Sequence, residues 1–237
     1  DYNRGAPVAH WKFDECEGTV AHDASGNENH GTINIGATGT VGTCSTSGAW
    51  ANGASGKFEG SLSFDGADDY VESPHNDIFN LKLQQSFSFW YGGFTETGTL
   101  ERTFIDKSTS HQAANGYSID MRGLDGFRFN LSTTRYILGK PSSFNDGDWH
   151  HVVVVLDQSA NEVELYFDGE LFSTTDISGA TYATNTDSFL IGTVNISSSY
   201  YYFLKAKLDD VRIYNYTLSP AQVQKIYNQG YGVRYGN

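Results

Sequence analysis

Apolar and polar residues alternate in short runs over most of the chain. Leu62 and Phe64, then Phe87, Phe89 and Tyr91, then Tyr117, Ile119 and Met121, then Phe127, Phe129 and Leu131 each place apolar groups on one face of an extended segment. The opposite faces carry Ser, Asp, Arg and Asn. The run 152–156, four valines and a leucine, does not alternate, as expected of a strand covered on both sides. Alternation resumes over 162–167, with Glu162 and Glu164 on the solvated face. The turn at 158–161 should pair these two runs. Asp168-Gly169 should join the second to 171–173, because Gly tolerates the positive φ of a tight primed turn. Helical spacing is confined to the C-terminal end: Ser219 can cap, Pro220 occupies the first helical position, Val223, Ile226 and Tyr227 recur at three and four, and Gly230 can end the helix. The pattern predicts an all-β fold, a two-sheet antiparallel β-sandwich with one short C-terminal helix.

With 237 residues, 38% of them hydrophobic and 14% aromatic, the chain has apolar material for one sizeable core. The expected layout is one domain over 8–230, with 1–7 a linker or stem remnant and 231–237 a tail. A net charge of -13 makes the average surface repel phosphate, so nucleic acid is excluded as a partner. No apolar run is long enough to span a bilayer. The chain opens on Asp1 without Met, as a mature product or a piece cut from a longer protein would. Cys16 and Cys44 fit no zinc or redox spacing. A disulfide between them would contribute roughly 3 kcal/mol by loop closure and imply an oxidising compartment; the alternative is two unrelated buried thiols.

Five segments occur in an order that resembles a known family: Trp11-Lys12-Phe13-Asp14-Glu15 with the following 22–31, then 63–71, Trp149-His150-His151-Val152, Tyr166-Phe167-Asp168-Gly169, and 208–214 with Leu218-Ser219. Together they resemble the laminin-G-like, concanavalin A-like lectin jelly rolls of the pentraxin superfamily, over about Val8 to Gly230. Phe13-Asp14-Glu15-Cys16 with a later Cys in a Gly-rich loop is similar to the variant of bacterial surface and pilus-associated proteins. The segment 5–11 looks like a junction between a pilin-like stem and such a domain.

The acidic clusters are the metal candidates. Asp23, Asn27 and Asn29 lie in one Gly-containing loop, Asp65, Asp68 and Asp69 border another, and Asp209 and Asp210 precede Val211 and Ile213. Alternation puts Asp209 on the inward face with Val211 and Ile213, where a charge needs a counter-ion. Calcium takes oxygens from such carboxylates and carbonyls; the resemblance implies a structural Ca2+ held by Asp209 and Asp23 first, and Asn27, Asp65 and Asp210 of the clusters are the further candidate ligands. The competing expectation is that these residues form Asx turns and cap amides. Tyr200, Tyr202, Trp50 and Tyr182 are the candidate ligand-binding aromatics, since consecutive tyrosines must send at least one ring outward and the other two lie in polar loops. The paired carboxylates of a laminarinase-like strand motif are absent from the sequence, so catalysis is not expected. The expected function is a non-catalytic, calcium-stabilised lectin-like module, extracellular or at the cell surface, with a glycan or a cell-surface protein as partner. The alternatives are a structural or protein-adhesion domain of an appendage such as a pilus, and an accessory domain of a polysaccharide-degrading enzyme.

Overall fold

The alternating runs become strands because each buries one face on a shared interior. The computed structural model describes residues 5–229 except 38, 45–47, 51–55, 81, 110–114 and 182. The chain enters through β1 (Ala9–Trp11), β2 (Val20–Ala21) and β3 (Gly31–Asn34), and resumes after the Gly-rich stretch as β4 (Leu62–Asp65) and β5 (Tyr70–Ser73). It continues through β6 (Gln84–Gly92), β7 (Glu101–Ser108), β8 (Gly116–Arg122), β9 (Gly126–Leu131) and β10 (Thr134–Gly139), then β11 (His150–Asp157), β12 (Glu162–Phe167) and β13 (Glu170–Asp176). β14 (Phe189–Ile191), the hairpin of β15 (Val194–Ile196) and β16 (Ser199–Tyr201), β17 (Lys205–Tyr214) and the helix α1 (Pro220–Gln229) complete it.

Among the described residues two large antiparallel sheets form, besides the two-stranded β15–β16 hairpin. One has seven strands in the order β1-β17-β6-β11-β12-β13, with β4 also on β17; the other has eight, β10-β9-β8-β7-β14-β5-β3-β2. Phe87, Phe89 and Tyr91 of the first meet Tyr117, Ile119, Phe127 and Phe129 of the second in one core that runs from Val8 to Ile213. This face-to-face packing of two sheets on a shared core is a β-sandwich.

The hairpin expectations hold in detail. β11 pairs with β12, Val152 opposite Phe167 and Leu156 opposite Val163. Asp168 (φ 49°) and Gly169 (φ 85°) make the primed turn into β13. The valines of β11 are buried on both faces because Val153 and Val155 pack outward on Val223 and Ile226 of α1. Ser219 and Gln222 cap that helix reciprocally: the Ser219 amide donates to Gln222 Oε1 at 2.9 Å, and the Gln222 amide donates to Ser219 Oγ at 3.4 Å. Gly230, expected to end it, lies outside the described residues. Cys16 and Cys44 are disulfide-bonded, with Cα atoms 4.7 Å apart.

One inward assignment is overturned. Along β17, Leu208, Val211 and Ile213 all face the core, so the period of two breaks between 208 and 211. The pairing with β6 slips between Asp209 and Arg212, and Asp210 takes φ 55°. This β-bulge turns Asp209, paired with Trp90, onto the outer face of the seven-stranded sheet.

Candidate functional site

Asp209 is nonetheless buried, at 1% exposure, because the loop carrying Lys57 and Phe58 closes over it. Its Oδ2 accepts the Phe58 amide at 2.9 Å. Burial pushes its pKa up to about 8, and Asp210 and Asp14 add to the rise. Asp210 goes the other way: burial would raise it, but His10 Nε2 at 2.6 Å and the Arg212 guanidinium hold it below the usual range. A groove of about 420 Å³ lies here, with Lys12, Lys57 and Arg212 interleaved among Asp14, Glu59, Asp209 and Asp210. Amides and cations already serve these carboxylates, so the pair does not fit calcium. The capping expectation describes them.

Asp23 is likewise fully engaged. Its Oδ1 accepts the amides of His10 and Ser25, and its Oδ2 accepts Ser25 Oγ, the Asn29 amide and Asn29 Nδ2, all at 2.8–3.2 Å. Burial alone would raise its pKa; these donors outweigh it and hold it low. Asn27 donates to the Val8 carbonyl at 3.0 Å, so its amide also ties the loop to β1. The loop is an Asx-type knot with no lone pair to spare for a cation.

The third cluster differs. Asp65, Asp68 and Asp69 bring one carboxylate oxygen each within 4.8 Å of the others. Asp65 and Asp69 accept nearby amides, and Asp68 Oδ2 accepts the Ala37 amide. Asp68 Oδ1 and Asp69 Oδ1 are buried and receive no hydrogen bond. Burial raises the pKa of Asp69, with the neighbouring carboxylates Asp65 and Asp68 adding to it. A Cβ on Gly36 would fall 1.6 Å from Asp68 Cγ, so only glycine lets the 35–37 backbone lie against this carboxylate. Converging, under-served carboxylates beside a carbonyl-bearing loop fit a hard cation such as Ca2+. Of the five expected ligands, only Asp65 belongs to this group; Asp68 and Asp69 complete it.

The aromatic candidates separate too. Trp50 is fully buried, bridged to Leu62, with Nε1 donating to the Gly18 carbonyl at 2.9 Å. It is a core residue, because its one polar atom is satisfied inside and its large ring gains by burial. Tyr182 lies outside the described residues. The tyrosine run forms the small β15–β16 hairpin, turned at Ser197 and Ser198, both at positive φ. Tyr200 stacks on Tyr70 of β5, ring centres 4.4 Å apart. Tyr201 and Tyr202 are 48% and 36% exposed. The Thr103 amide donates to the Tyr202 carbonyl at 2.9 Å, which fixes the hairpin to β7 of the eight-stranded sheet.

Beside the hairpin, on the side of that sheet turned away from the core, lies an ordered polar ladder whose central residues Asp120, Arg128 and Asn130 are buried. Asp120 bonds both Arg128 and Asn130; Arg135 Nε donates to Asn130 Oδ1 at 3.1 Å; Glu101 receives Arg128 at 3.1 Å and Arg135 at 3.2 Å. Thr103 is the cross-strand partner of Asp120, so ladder and tyrosines are contiguous. The sequence signal was present in the polar positions of β8 and β9, but alternation gives their face and not their mutual contacts. For the same reason alternation does not announce the Tyr70–Tyr200 stack, and of the tyrosine run it is Tyr201 and Tyr202 whose rings face outward.

The two facing antiparallel sheets make a jelly-roll β-sandwich. The chain belongs to the concanavalin A-like lectin/glucanases superfamily, whose Laminin_G_3 model matches residues 65–224. No curated protein sequence matches the chain. Among solved structures, the binding domain of Paraclostridial Mosquitocidal Protein 1 is similar at TM-score 0.71 and 13% identity, covering 96% of this chain and 53% of that one. The botulinum neurotoxin serotype D ligand-binding domain in complex with N-acetylneuraminic acid is similar at TM-score 0.64 and 16% identity, covering 94% and 51%. The botulinum neurotoxin DC binding domain in complex with rat synaptotagmin II is similar at TM-score 0.64 and 14% identity, covering 95% and 52%. At these identities the likeness is one of fold, and the chain spans about half the length of each structure.

Proposed function

We propose that the chain is a non-catalytic lectin-like module that binds glycans through the outer face of its eight-stranded sheet. The carrying observation is the pair of exposed rings, Tyr201 and Tyr202, anchored beside the Tyr70–Tyr200 stack, over a buried Asp120–Arg128–Asn130 ladder whose partly exposed rim is Glu101 and Arg135. A flat ring packs on the apolar face of a sugar, and the partly exposed Glu101 and Arg135, held in place by the buried ladder, offer an acceptor and a donor to its hydroxyls. The superfamily includes lectins, and relatives by fold are solved with a sialic acid and with a protein partner, which supports a binding role. The disulfide supports an extracellular or cell-surface setting. Calcium at Asp65, Asp68 and Asp69 would neutralise three converging charges and brace the β4–β5 turn.

A glycan array with wild type and a Tyr201→Ala/Tyr202→Ala variant tests the reading. Binding to a defined sugar class, weakened at least ten-fold in the folded variant, is expected. A silent array would overturn it. Protein adhesion, as on a surface appendage such as a pilus, is the second reading; the exposed Ile137, Leu171 and Phe172 on the abutting edge strands β10 and β13 favour it. For the metal, calcium should raise the melting temperature over chelator, and Asp68→Asn/Asp69→Asn should remove that gain. An unchanged wild-type melting temperature would remove calcium from the account.

A further inference from the structure

Next to the tyrosines the outer face also holds a cavity of about 200 Å³. Its walls are the carboxylates of Glu72 and Asp187, the hydroxyls of Ser108, Thr186 and Ser188, Asn195, and Leu190 as the apolar side. The sheet register explains the grouping. Leu190 lies between Asp106 on β7 and Glu72 on β5, so these three form one row across the outer face. Tyr70 precedes Glu72 by two positions on the same strand, and Asn195 is the cross-strand partner of Tyr200. The cavity therefore abuts the Tyr70–Tyr200 stack.

Among the described residues the lining is rich in oxygen acceptors and contains no Lys, Arg or His. Ser108 Oγ donates to Asp106 Oδ1 at 2.6 Å, so its proton is committed inward and its lone pairs stay open to the cavity. Asp106 is wholly buried at the base of this row, and its Oδ2 receives no hydrogen bond. The nearby cation Lys107 is sealed behind the wall, its Nζ held by Asn185 and by the backbone carbonyl of Asp187. A ligand entering here meets acceptors, negative charge and an aromatic border.

We infer that this cavity is a monosaccharide subsite that takes a neutral or amino-bearing sugar unit and excludes sugar acids. The inference rests on the glycan-binding reading and gives that face its specificity. Ligand hydroxyl or ammonium groups donate to Glu72 and Asp187, whereas a sugar carboxylate would face two like charges with no cation among the described lining residues to offset them.

The test uses immobilised neutral, amino-bearing, sialylated and uronate oligosaccharides with wild type, Glu72→Gln and Asp187→Asn, each checked for an unchanged melting profile. Wild type should bind neutral or amino-bearing chains and not the acidic ones, and each substitution should weaken binding about ten-fold. Asp187 is exposed, so its variant remains informative if Glu72→Gln misfolds. A preference for acidic chains overturns the subsite while the glycan reading stands. So does binding that is unchanged in both variants yet lost in Tyr201→Ala/Tyr202→Ala. Failure of wild type to bind any chain overturns the glycan reading itself, and the subsite with it.

Discussion

A carboxylate removed from water must find donors, and Asp209 finds them in the backbone of the loop that covers it. The Phe58 amide bonds it directly, and the Lys57 amide also favours its ionised form. Asp209→Ala leaves those amides buried and unpaired, at a cost of about 1–3 kcal/mol. The loss should be equal in calcium and in chelator, because Asp209 shares no partner with the Asp65–Asp68–Asp69 group. A loss seen only in calcium would return Asp209 to the metal. Alternation alone placed this residue inward; it could not register a bulge, which depends on one positive φ at Asp210. Trp50 was misjudged for a related reason. Its immediate neighbours Ala49 and Ala51 are small and sit in a Gly-, Ser- and Asn-containing stretch that reads as a loop, while its packing partner Leu62 and its acceptor Gly18 are remote in sequence.

Local turn chemistry was the most legible layer, and the Asp168-Gly169 turn shows both its reach and its limit. The dipeptide announces the primed turn, but not what rests on it. Asp168 also accepts the His151 amide and a His150 ring nitrogen, closing the turn onto β11. The helix then sits against it: Gln224 Nε2 donates to the Gly169 carbonyl at 3.0 Å, and a Cβ on Gly169 would approach Tyr227 Cδ1 to 2.8 Å. Gly169→Ala should therefore destabilise by about 1–3 kcal/mol, combining the positive-φ penalty with a clash. Gly179→Ala is the matched control, since it has φ 78° and open space around the new methyl. Denaturant unfolding should show Gly169→Ala as the more costly; equal losses would mean that Tyr227 yields freely. The β15–β16 hairpin was illegible by comparison, because Ser197 and Ser198 supply its positive φ without a glycine to mark it.

For the molecule as a whole, the buried titrating groups set a pH dependence opposite to simple acid denaturation. Asp106 and Asp209 are both pushed up to about 8 by burial, so the folded chain keeps two protons that the unfolded chain releases near pH 4. Stability falls with rising pH wherever the folded state binds more protons, here between about pH 4 and 8. His150 acts in the same direction. Burial would lower its pKa, but Asp168 at 2.8 Å and Asp146 at 3.0 Å raise it, so its support is full below the unfolded value near 6.5 and is lost as pH rises through the folded one. His151 opposes this at lower pH: burial drives it down to about 3, so its contribution is lost as pH falls from about 6.5. Asp23 and Asp210, both held low, likewise lose their support only in acid. Lys107, pushed down to about 8 by burial, opposes the trend only above that pH. Between about pH 6.5 and 8 the shifts that matter therefore act together, and the melting temperature should fall by several degrees, each kcal/mol appearing as about 2–4 °C in a chain of this size. Asp106→Asn keeps an acceptor for Ser108 and removes one titrating group, so it should flatten the slope. Melting curves at pH 6.5, 7.2 and 8.0 for both proteins decide the matter: a flat or rising wild-type profile would mean that these carboxyls are not protonated in the folded chain.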